Sequence, residues 1–330
     1  MSAPGRPPGG KTGPLPRLGR TPSLFGEGKP VSASEAGFRC GTIAIIGRPN
    51  VGKSTLLNGL VGHKVSITSG RPQTTRHRIA GILTRPGLQY VFVDTPGFQT
   101  RHGGTLNRLL NRAVRSSLAG VDVALLVVEA GRYDDDDRAV AALLPPDAPA
   151  ILVVNKSDRL PGPARMLPFL ERMSKERAFA AVVPVSASKG RNLGALLKAI
   201  APHLPEQPPM FEADALTDRS ERFLAAELVR EKLFRLLGEE LPYGCAVSID
   251  RFQEEGRLRR IHASIVVEKE NHKAIVIGKD GAKLKAVASA ARRDMEKLFG
   301  GKVFLEVWVK VRPDWTRDGA TLRRLGYEHA

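Results

Sequence analysis

A phosphate-binding loop is the first stretch of the chain whose residue types and spacing suggest chemistry. Gly47 to Ser54 fits the pattern G-x-x-x-x-G-K-[ST], in which backbone N–H groups converge on phosphate oxygens. The ammonium group of Lys53 is expected to reach the β- and γ-phosphates of a nucleoside triphosphate, and the hydroxyl group of Ser54 to hold Mg²⁺. The predicted nucleotide contacts in this segment are Gly47, Arg48, Pro49, Asn50, Val51, Gly52, Lys53, Ser54 and Thr55.

A second motif, Asp94-Thr95-Pro96-Gly97, follows the apolar run Tyr90–Val93. A carboxylate at this place suits a hold on Mg²⁺ through water, because magnesium keeps several of its waters in protein sites. The Gly97 N–H is expected to bond the γ-phosphate and so to sense its hydrolysis. The predicted nucleotide contacts here are Asp94, Thr95, Pro96, Gly97 and Phe98.

Two later motifs predict the choice of base. Asn155-Lys156-Ser157-Asp158 follows the apolar run Ile151–Val154, and the carboxylate of Asp158 can accept the N1–H and the exocyclic amine of guanine. Adenine presents an acceptor where guanine has N1–H, so the same carboxylate would repel it. In Val185-Ser186-Ala187, a backbone N–H is expected to bond guanine O6. All seven residues of these two motifs are predicted nucleotide contacts, and the ligand is predicted to be GTP or GDP.

Between the first two motifs lies a loop, Ser69 to Arg78, that is crowded with Arg, Pro and Gly and is predicted to be mobile. A threonine hydroxyl of this loop is expected to reach Mg²⁺ when a γ-phosphate is present, but the sequence does not decide between Thr74 and Thr75. Phe98 stands where a glutamine commonly orients the attacking water, which predicts slow hydrolysis or help from another element. The predicted catalytic residues are Lys53, Thr74 and Thr75, and the predicted Mg²⁺ ligands are Ser54, Thr74, Thr75 and Asp94.

These motifs need a scaffold that brings them together. From Thr42 to about His203 the sequence alternates apolar runs with helical stretches, which predicts a doubly wound, mostly parallel α/β sheet. Because each motif follows a predicted strand, and ligands of such sheets bind beyond the carboxyl ends of the strands, the motifs are expected to form one site. The predicted strands are Thr42–Ile46, Ile79–Thr84, Gln89–Val93, Val123–Val128, Ile151–Val154 and Ala181–Pro184, and the predicted helices include Thr105–Leu118, Asp135–Leu144 and Met166–Glu176.

A second domain is predicted beyond the proline-rich stretch Pro202–Pro209, which ends the first. It opens with an amphipathic helix, Asp218–Leu237, followed by two strands, Gly244–Phe252 and Leu258–Val267. The residues expected on the solvent-facing side of that helix are Arg222, Glu227, Arg230 and Glu231.

A G-x-x-G turn, Gly278 to Gly281, lies between the apolar segment Ala274–Ile277 and a predicted helix, Ala282–Phe299, with a final strand at Lys302–Val311. In KH modules such a loop clamps the backbone of single-stranded nucleic acid, and lysines beside it attract phosphates. The predicted RNA contacts are Lys273, Gly278, Lys279, Asp280, Gly281, Lys283 and Lys285. Trp308 and Trp315 are interpreted as packing residues rather than as base-stacking platforms.

Composition supports a polyanionic partner. The chain has 330 residues and a formal net charge of +17, beyond what solubility alone requires. Two distant cysteines, Cys40 and Cys245, indicate a reducing compartment without structural zinc. Residues 1–38 are predicted to be a disordered basic arm, which we favour over an organelle transit peptide. Four consecutive acids, Asp134–Asp137, are interpreted as a solvated helix start.

The order of these motifs resembles the Era family of GTPases, from about Arg39 to the end of the chain. The resemblance rests on Gly47–Ser54, Gln73–His77, Asp94–Gly97, Asn155–Asp158 and Val185–Ala187, followed by Gly278–Gly281, and the run Leu216–Arg222 also resembles this family. It implies a P-loop GTPase domain followed by an α+β type II KH domain. The implied boundaries are 39–205 for the GTPase domain, 206–217 for a linker, and 218–330 for the KH domain with its tail.

The resemblance also implies partners and ions. The implied RNA is the 3′ end of 16S ribosomal RNA, with assistance to maturation of the 30S subunit by a cytoplasmic, monomeric protein. Peripheral contact with the inner membrane and a potassium ion at Asn50 are also implied. The main alternative is a membrane-associated regulatory GTPase that links growth to energy state. A third hypothesis is a KH adaptor whose nucleotide domain is inactive, and the intact Lys53, Ser54 and Asp94 argue against it.

Overall fold

The computed structural model describes residues 37–71, 74–98, 105–160, 162–237, 244–315 and 318. Apart from its last two residues, the predicted N-terminal arm lies outside this part of the chain. Gln73 and the residues of the C-terminal tail beyond 318 also lie outside it.

The first domain is built on one six-stranded sheet with the order β2-β3-β1-β4-β5-β6. Only β2 runs antiparallel, in a hairpin with β3, and the other pairs are parallel. The predicted doubly wound sheet is therefore confirmed. In chain order the elements are β1 Arg39–Ile46, α1 Lys53–Val61, β2 Ile79–Arg85, β3 Leu88–Asp94, α2 Thr105–Ser116, β4 Val123–Glu129, α3 Asp135–Ala141, β5 Ala150–Asn155, α4 Pro163–Glu176, β6 Ala181–Pro184 and α5 Leu193–Ile200.

Alternation along β1 explains the layers on both faces of this sheet. Ile43 and Ile45 belong to a core that is covered by α1 and α5, whereas Ala44 and Ile46 belong to a second core under α2, α3 and α4. β5 is buried along its whole length and is continuously apolar up to Asn155, as expected for a parallel strand that is covered on both sides. This packing fixes the carboxyl ends of the strands, where the motifs lie.

The second domain is a three-stranded sheet, in the order β7-β8-β9, with helices packed against it. β7 and β8 are antiparallel, whereas β8 and β9 are parallel, which gives the α+β arrangement expected for this half. Its elements are α6 Glu221–Leu236, β7 Cys245–Glu255, β8 Leu258–Val267, α7 Glu270–Ile277, α8 Ala282–Phe299 and β9 Lys302–Val311.

The prediction of a solvated face on α6 is wrong for three of its four residues. Arg222 is exposed, but Glu227, Arg230 and Glu231 are 4%, 2% and 0% exposed. One side of the helix packs into the core of the second domain, and Glu231 and its neighbours on the other side meet the first domain. Because α6 lies between the two domains, both of its sides are buried. The sequence pattern of the helix alone does not indicate this second buried side.

Three smaller differences concern local elements. The helices α5 and α7 were not predicted, and α7 includes the apolar segment Ala274–Ile277. Asp137 is not solvated but buried, because Arg48 pairs with it and Asp134 caps the same helix start. The helices α2 and α3 end before Leu118 and Leu144, their predicted ends.

Residues 206–217 lie along the first domain rather than standing away from it. The Gln207 N–H donates to the carbonyl of Phe38 at 3.0 Å, and the Ile82 N–H donates to the carbonyl of Leu216 at 2.9 Å. The proposed domain boundaries themselves stay a prediction. No helix in the described ranges combines the length and apolar character that crossing a bilayer would require.

Candidate nucleotide site and nucleic-acid surface

The phosphate-binding loop joins β1 to α1, and two of its positions admit only glycine. A Cβ atom on Gly47 would lie 2.5 Å from the carbonyl oxygen of Val127. Gly52 has a φ of 100°, and a Cβ there would lie 2.4 Å from Nδ2 of Asn155. The loop is thus pressed against β4 and β5, and its backbone amides are held at the start of α1, where an anion is stabilised.

Lys53 is a buried cation of this loop whose ammonium group meets backbone carbonyl groups. Its Nζ lies 2.8 Å from the carbonyl oxygen of Gly47 and 3.0 Å from that of Arg48. Burial lowers the pKa of Lys53 to about 8, although the nearby carboxylate of Asp94 acts in the opposite direction. A desolvated ammonium group beside phosphate-binding amides gains most from an anionic ligand.

The oxygen ligands predicted for Mg²⁺ meet at the ends of α1 and β3. Ser54 Oγ donates to Asp94 Oδ2 at 2.7 Å and lies 2.8 Å from Thr75 Oγ1. Thr74 Oγ1 instead contacts Ser69 and donates to the carbonyl of Arg71 at 2.9 Å. The structure therefore brings Thr75, but not Thr74, to Ser54 and Asp94.

The residues fit a hard divalent cation. Asp94 Oδ1 is buried and finds no hydrogen-bond partner among the described residues, and burial raises the pKa of this carboxyl group. An unpaired carboxylate oxygen beside two hydroxyl groups is the donor chemistry that Mg²⁺ prefers. Ser54, Thr75 and Asp94 would hold the ion, directly or through water.

Sequence reasoning missed Ser66. Its Oγ donates to Asp94 Oδ2 at 2.9 Å, and its backbone N–H donates to Asn58 Oδ1 at 2.9 Å. A serine in a loop without periodicity gives no signal of such a role. Ser66 and Ser54 both donate to Oδ2 of Asp94, and these two hydrogen bonds orient the carboxylate before a ligand arrives.

Asn155 joins the base-recognition motifs to the phosphate-binding loop. Its Nδ2 donates to the carbonyl of Val51 at 2.9 Å, and its Oδ1 accepts from the Ala187 N–H at 3.0 Å. The segment Val185–Ala187 is predicted to offer a backbone N–H to guanine O6. In the structure the N–H groups of Val185, Ser186 and Ala187 all have partners within the protein, so a contact with O6 would share one of them.

Asp158 is exposed at the mouth of a cleft of about 550 Å³. Its Oδ1 accepts from the hydroxyl of Ser186 at 2.5 Å, and this hydrogen bond lowers the pKa of Asp158. The carboxylate is therefore ionised and oriented near neutral pH. The cleft is lined by Asn50, Gly52, Thr55, Ser69, Gly70, Asn155, Lys156, Asp158, Arg159, Ser188 and Lys189.

Several predicted nucleotide contacts point elsewhere with their side chains. The Arg48 guanidinium bonds the buried carboxylate of Asp137 at 3.1 Å, and Lys156 bonds Glu129 at 2.8 Å. Phe98 packs against the apolar core under α2 to α4. The backbone of these residues still borders the site. Gly97 in particular touches the loop, since a Cβ there would lie 3.0 Å from Cα of Pro49.

The α1–β2 loop, residues 62–78, joins this site to the second domain. Glu231 on α6 is fully buried and accepts from Lys64, from the Thr68 N–H at 3.2 Å, and from Arg235 at 2.7 Å. Asp294 on α8 pairs with the same Lys64 at 2.8 Å. The loop that carries Ser66 and Thr75 is thus bonded to two helices of the second domain.

The predicted RNA-binding loop links α7 to α8. Gly278 has a φ of 72°, and a Cβ there would lie 2.8 Å from Cγ of Lys283. Gly281 has a φ of 73° and open space around its Cα. Asp280, with a φ of 51°, lies between them. Lys279, Lys283 and Lys285 are exposed around this turn, whereas Lys273 is half-buried and lies 3.8 Å from Glu270.

Comparison with known proteins agrees with this division. Residues 42–156 match a family model described as a 50S ribosome-binding GTPase, and residues 240–316 match a KH domain model. The fold and site therefore define a P-loop GTPase joined to a KH domain.

The GTPase Era of Nitrosomonas eutropha is 56% identical over 295 residues, which cover 89% of this chain and 100% of that protein. The GTPase Era of Stenotrophomonas maltophilia is 57% identical over 290 residues, which cover 88% and 97%. The chain belongs to the GTPase Era family, and it hydrolyses GTP.

Two solved structures resemble the chain, each with a TM-score of 0.84 and 39% identity over 88% of this chain and 99% of the other. One is a variant of Aquifex aeolicus Era bound to GDP.AlF4-. The other is Era in complex with MgGDPNP and nucleotides 1506-1542 of 16S ribosomal RNA. These findings confirm the predicted family resemblance and fold class.

Proposed function

We propose that this GTPase is a Mg²⁺-dependent switch that binds the 3′ end of 16S ribosomal RNA through its KH domain and assists assembly of the 30S subunit. The observation that carries the proposal is the bonded connection from Asp94 through the α1–β2 loop to α6 and α8. A similar protein, Era, forms a complex with MgGDPNP and a segment of that RNA.

The chain's own residues supply binding and positioning. Lys53 and the loop amides neutralise phosphate charge, and Asp158 selects guanine. Mg²⁺, when bound, would neutralise charge on the β- and γ-phosphates. Because Thr75 lies on the α1–β2 loop, a nucleotide that orders Thr75 also acts on the contacts of Glu231.

RNA binding is tested with a matched pair of glycine substitutions. Gly281→Asp adds negative charge in the predicted RNA-binding loop, at a position with open space around its Cα, where a φ of 73° strains aspartate less than most other residues. Gly300→Asp makes the same change at the other end of α8, where φ is 66° and space is also open. We expect Gly281→Asp to weaken binding to an oligomer of the 16S RNA 3′ end roughly tenfold, because negative charge repels phosphate.

The readout is the dissociation constant with GDP and with a non-hydrolysable GTP analogue, across a salt titration. Gly300→Asp should bind like the unaltered protein. Equal binding by Gly281→Asp would contradict the proposed RNA site, and failure of the unaltered protein to bind in either nucleotide state would contradict the function.

Thr75 is proposed as the loop ligand of Mg²⁺, and Thr74 is its natural control. Thr75→Val removes a hydroxyl that lies 2.8 Å from Ser54 Oγ, whereas Thr74→Val removes one that bonds Ser69 and Arg71. A magnesium titration of GTP hydrolysis should show a higher half-maximal concentration for Thr75→Val. A larger shift in Thr74→Val would reverse the assignment.

The remaining parts of the proposal are the potassium ion, the oligomeric state and the location. Asn50 borders the phosphate end of the cleft and is proposed to hold K⁺, so hydrolysis should be faster in KCl than in NaCl. Equal rates would contradict the potassium site.

We propose that the protein is a cytoplasmic monomer that makes peripheral contact with the inner membrane. Light scattering tests the oligomeric state, and co-sedimentation with lipid vesicles tests the membrane contact.

A further inference from the structure

Two aromatic side chains are exposed on the outer face of the second sheet. Phe304 and Trp308 on β9 are 41% and 43% exposed, and in the described part of the chain they are the large aromatic side chains with the greatest exposure. Residues 304 and 308 share one face of β9 because side chains alternate along a strand. The helices of the domain pack against the opposite face, whose core includes Val303.

These two rings belong to a continuous strip. His262 on the neighbouring strand β8 lies between them, with ring centroids 6.5 Å from Phe304 and 5.4 Å from Trp308. A cation stands at each end. The Arg260 guanidinium lies 5.0 Å from the Phe304 ring, and Lys310 shares with Trp308 a hollow of about 360 Å³.

A structural tryptophan in the same domain looks different. Trp315 is 0% exposed, and its Nε1 donates to the carbonyl of Gly244 at 3.1 Å. Trp308 has no comparable burial, so packing does not account for it. Exposed aromatic rings grouped on one face usually mark an interaction site.

The acids on this face already have partners. Asp250 accepts from Ser264 at 2.5 Å and from Lys310 at 3.0 Å, and Glu306 lies 3.5 Å from His262. Lys310 therefore partly neutralises Asp250, as Arg260 does Glu255, which it meets at 3.2 Å. Aromatic rings flanked by cations are the arrangement on which unpaired bases stack while phosphates meet the cations.

We propose that this strip, formed by Arg260, His262, Phe304, Trp308 and Lys310, is a second contact for single-stranded RNA. It would stack two or three unpaired bases beyond the nucleotides held at the loop 278–281. The inference rests on the proposed RNA binding of that loop. Continuity supports it: β9 is the edge strand, and α7, which leads into the loop, packs against β9. RNA that passes this edge meets the outward side chains of β9.

The test compares two RNAs on the full-length protein. A KH loop clamps about four nucleotides, so an oligomer of about five nucleotides occupies the loop alone, whereas one of about twelve also reaches the strip. In Phe304→Ala/Trp308→Ala, affinity for the longer RNA should fall about 10- to 100-fold, because both rings on which its bases would stack are lost. Affinity for the shorter RNA should stay unchanged.

Two further variants sharpen the readout. Trp308→Phe keeps a stacking ring and should retain affinity for the longer RNA, while losing the fluorescence quenching that RNA causes in the unaltered protein. Leu167→Ala, at an exposed apolar residue of α4 in the first domain, is the matched surface control and should change neither affinity. The thermal unfolding midpoint and the basal GTP hydrolysis rate should be equal in all variants.

The outcomes separate the two hypotheses. Unchanged affinity of the double variant for the longer RNA would contradict RNA binding at the strip and leave RNA binding at the loop 278–281 untouched. The same conclusion would follow if the double variant lost binding to a protein but kept its affinity for both RNAs. Equal loss on both RNAs would also contradict RNA binding at the strip, because the rings would then act through the loop. Failure of the unaltered protein to bind either RNA would overturn the underlying function.

Discussion

The nucleotide site and the contact between the two domains both bury charge, but they treat it differently. Asp94 keeps one buried oxygen without a partner in the described structure, and burial raises the pKa of its carboxyl group. Glu231 is as deeply buried, yet its carboxylate meets Lys64, Thr68 and Arg235. A buried carboxylate oxygen without a hydrogen-bond partner, as in Asp94, is typical of a ligand site. A buried carboxylate whose oxygens are both paired, as in Glu231, is typical of a contact that holds domains together.

The comparison predicts opposite effects of neutralising a buried charge in the two regions. At the nucleotide site the buried charge binds the ligand, so its removal should lower activity and raise the free energy of unfolding of the nucleotide-free protein. At the domain contact the charge serves the fold, so its removal should damage stability.

The largest expected effect is that of Lys53→Met. GTP hydrolysis should fall at least about 100-fold, because the cation that meets the phosphates is lost. The free energy of unfolding without nucleotide should rise by on the order of 3 kcal/mol at pH 7, since the pKa of Lys53 is about 8 in the fold against 10.5 when unperturbed. Urea unfolding and single-turnover hydrolysis measure the two effects.

The pH dependence of this difference follows from the same values. The folded protein binds fewer protons at Lys53 than the unfolded chain between pH 8 and 10.5, so stability of the unaltered protein rises relative to Lys53→Met across that range. The stability gap should be full below pH 8 and should close towards pH 10.5. A gap that does not depend on pH would show that burial of this charge is not its cause.

A smaller effect is expected from Glu231→Gln. The variant removes the carboxylate that Lys64, Lys232 and Arg235 share. Because Lys64 and Lys232 keep Asp294 as a partner, the free energy of unfolding should fall by about 1–3 kcal/mol. Glu171→Gln is the control, because Glu171 pairs with Lys175 on an exposed helix face and should change stability by less than about 0.5 kcal/mol. An equal loss of unfolding free energy in Glu231→Gln and Glu171→Gln would contradict the inference that the buried charge of Glu231 stabilises the domain contact.

The smallest effect concerns the rim of the base cleft. Ser186→Ala removes the hydrogen bond that lowers the pKa of Asp158, so GTP affinity should be lost at a higher pH on acidification than in the unaltered protein. At neutral pH we expect roughly a threefold weaker preference for GTP over ATP, because an exposed contact contributes little. Ser188→Ala, at a neighbouring residue of the same cleft, should leave both unchanged.

Asp158→Asn provides the upper limit for that measurement. It removes the acceptor pair for guanine altogether, so the preference for GTP should drop further than in Ser186→Ala. If Ser186→Ala had the larger effect, Ser186 would contact the nucleotide itself.

The amino-acid sequence by itself determined the features that depend on neighbours along the chain. The loop Gly47–Ser54 follows a buried strand and opens α1, and both α8 and β9 have the bounds that periodicity predicts. Phosphate binding needs consecutive backbone amides, and helices and strands follow from local pattern, so a short window holds the information.

Only the tertiary structure decided the rest. The choice of Thr75 over Thr74, the burial of Glu231 and the difference between exposed Trp308 and buried Trp315 all depend on remote groups. Thr68 and Glu231 are separated by 163 positions, yet they share a hydrogen bond. Burial is a property of the packed molecule, because whether a side chain meets water depends on what folds against it.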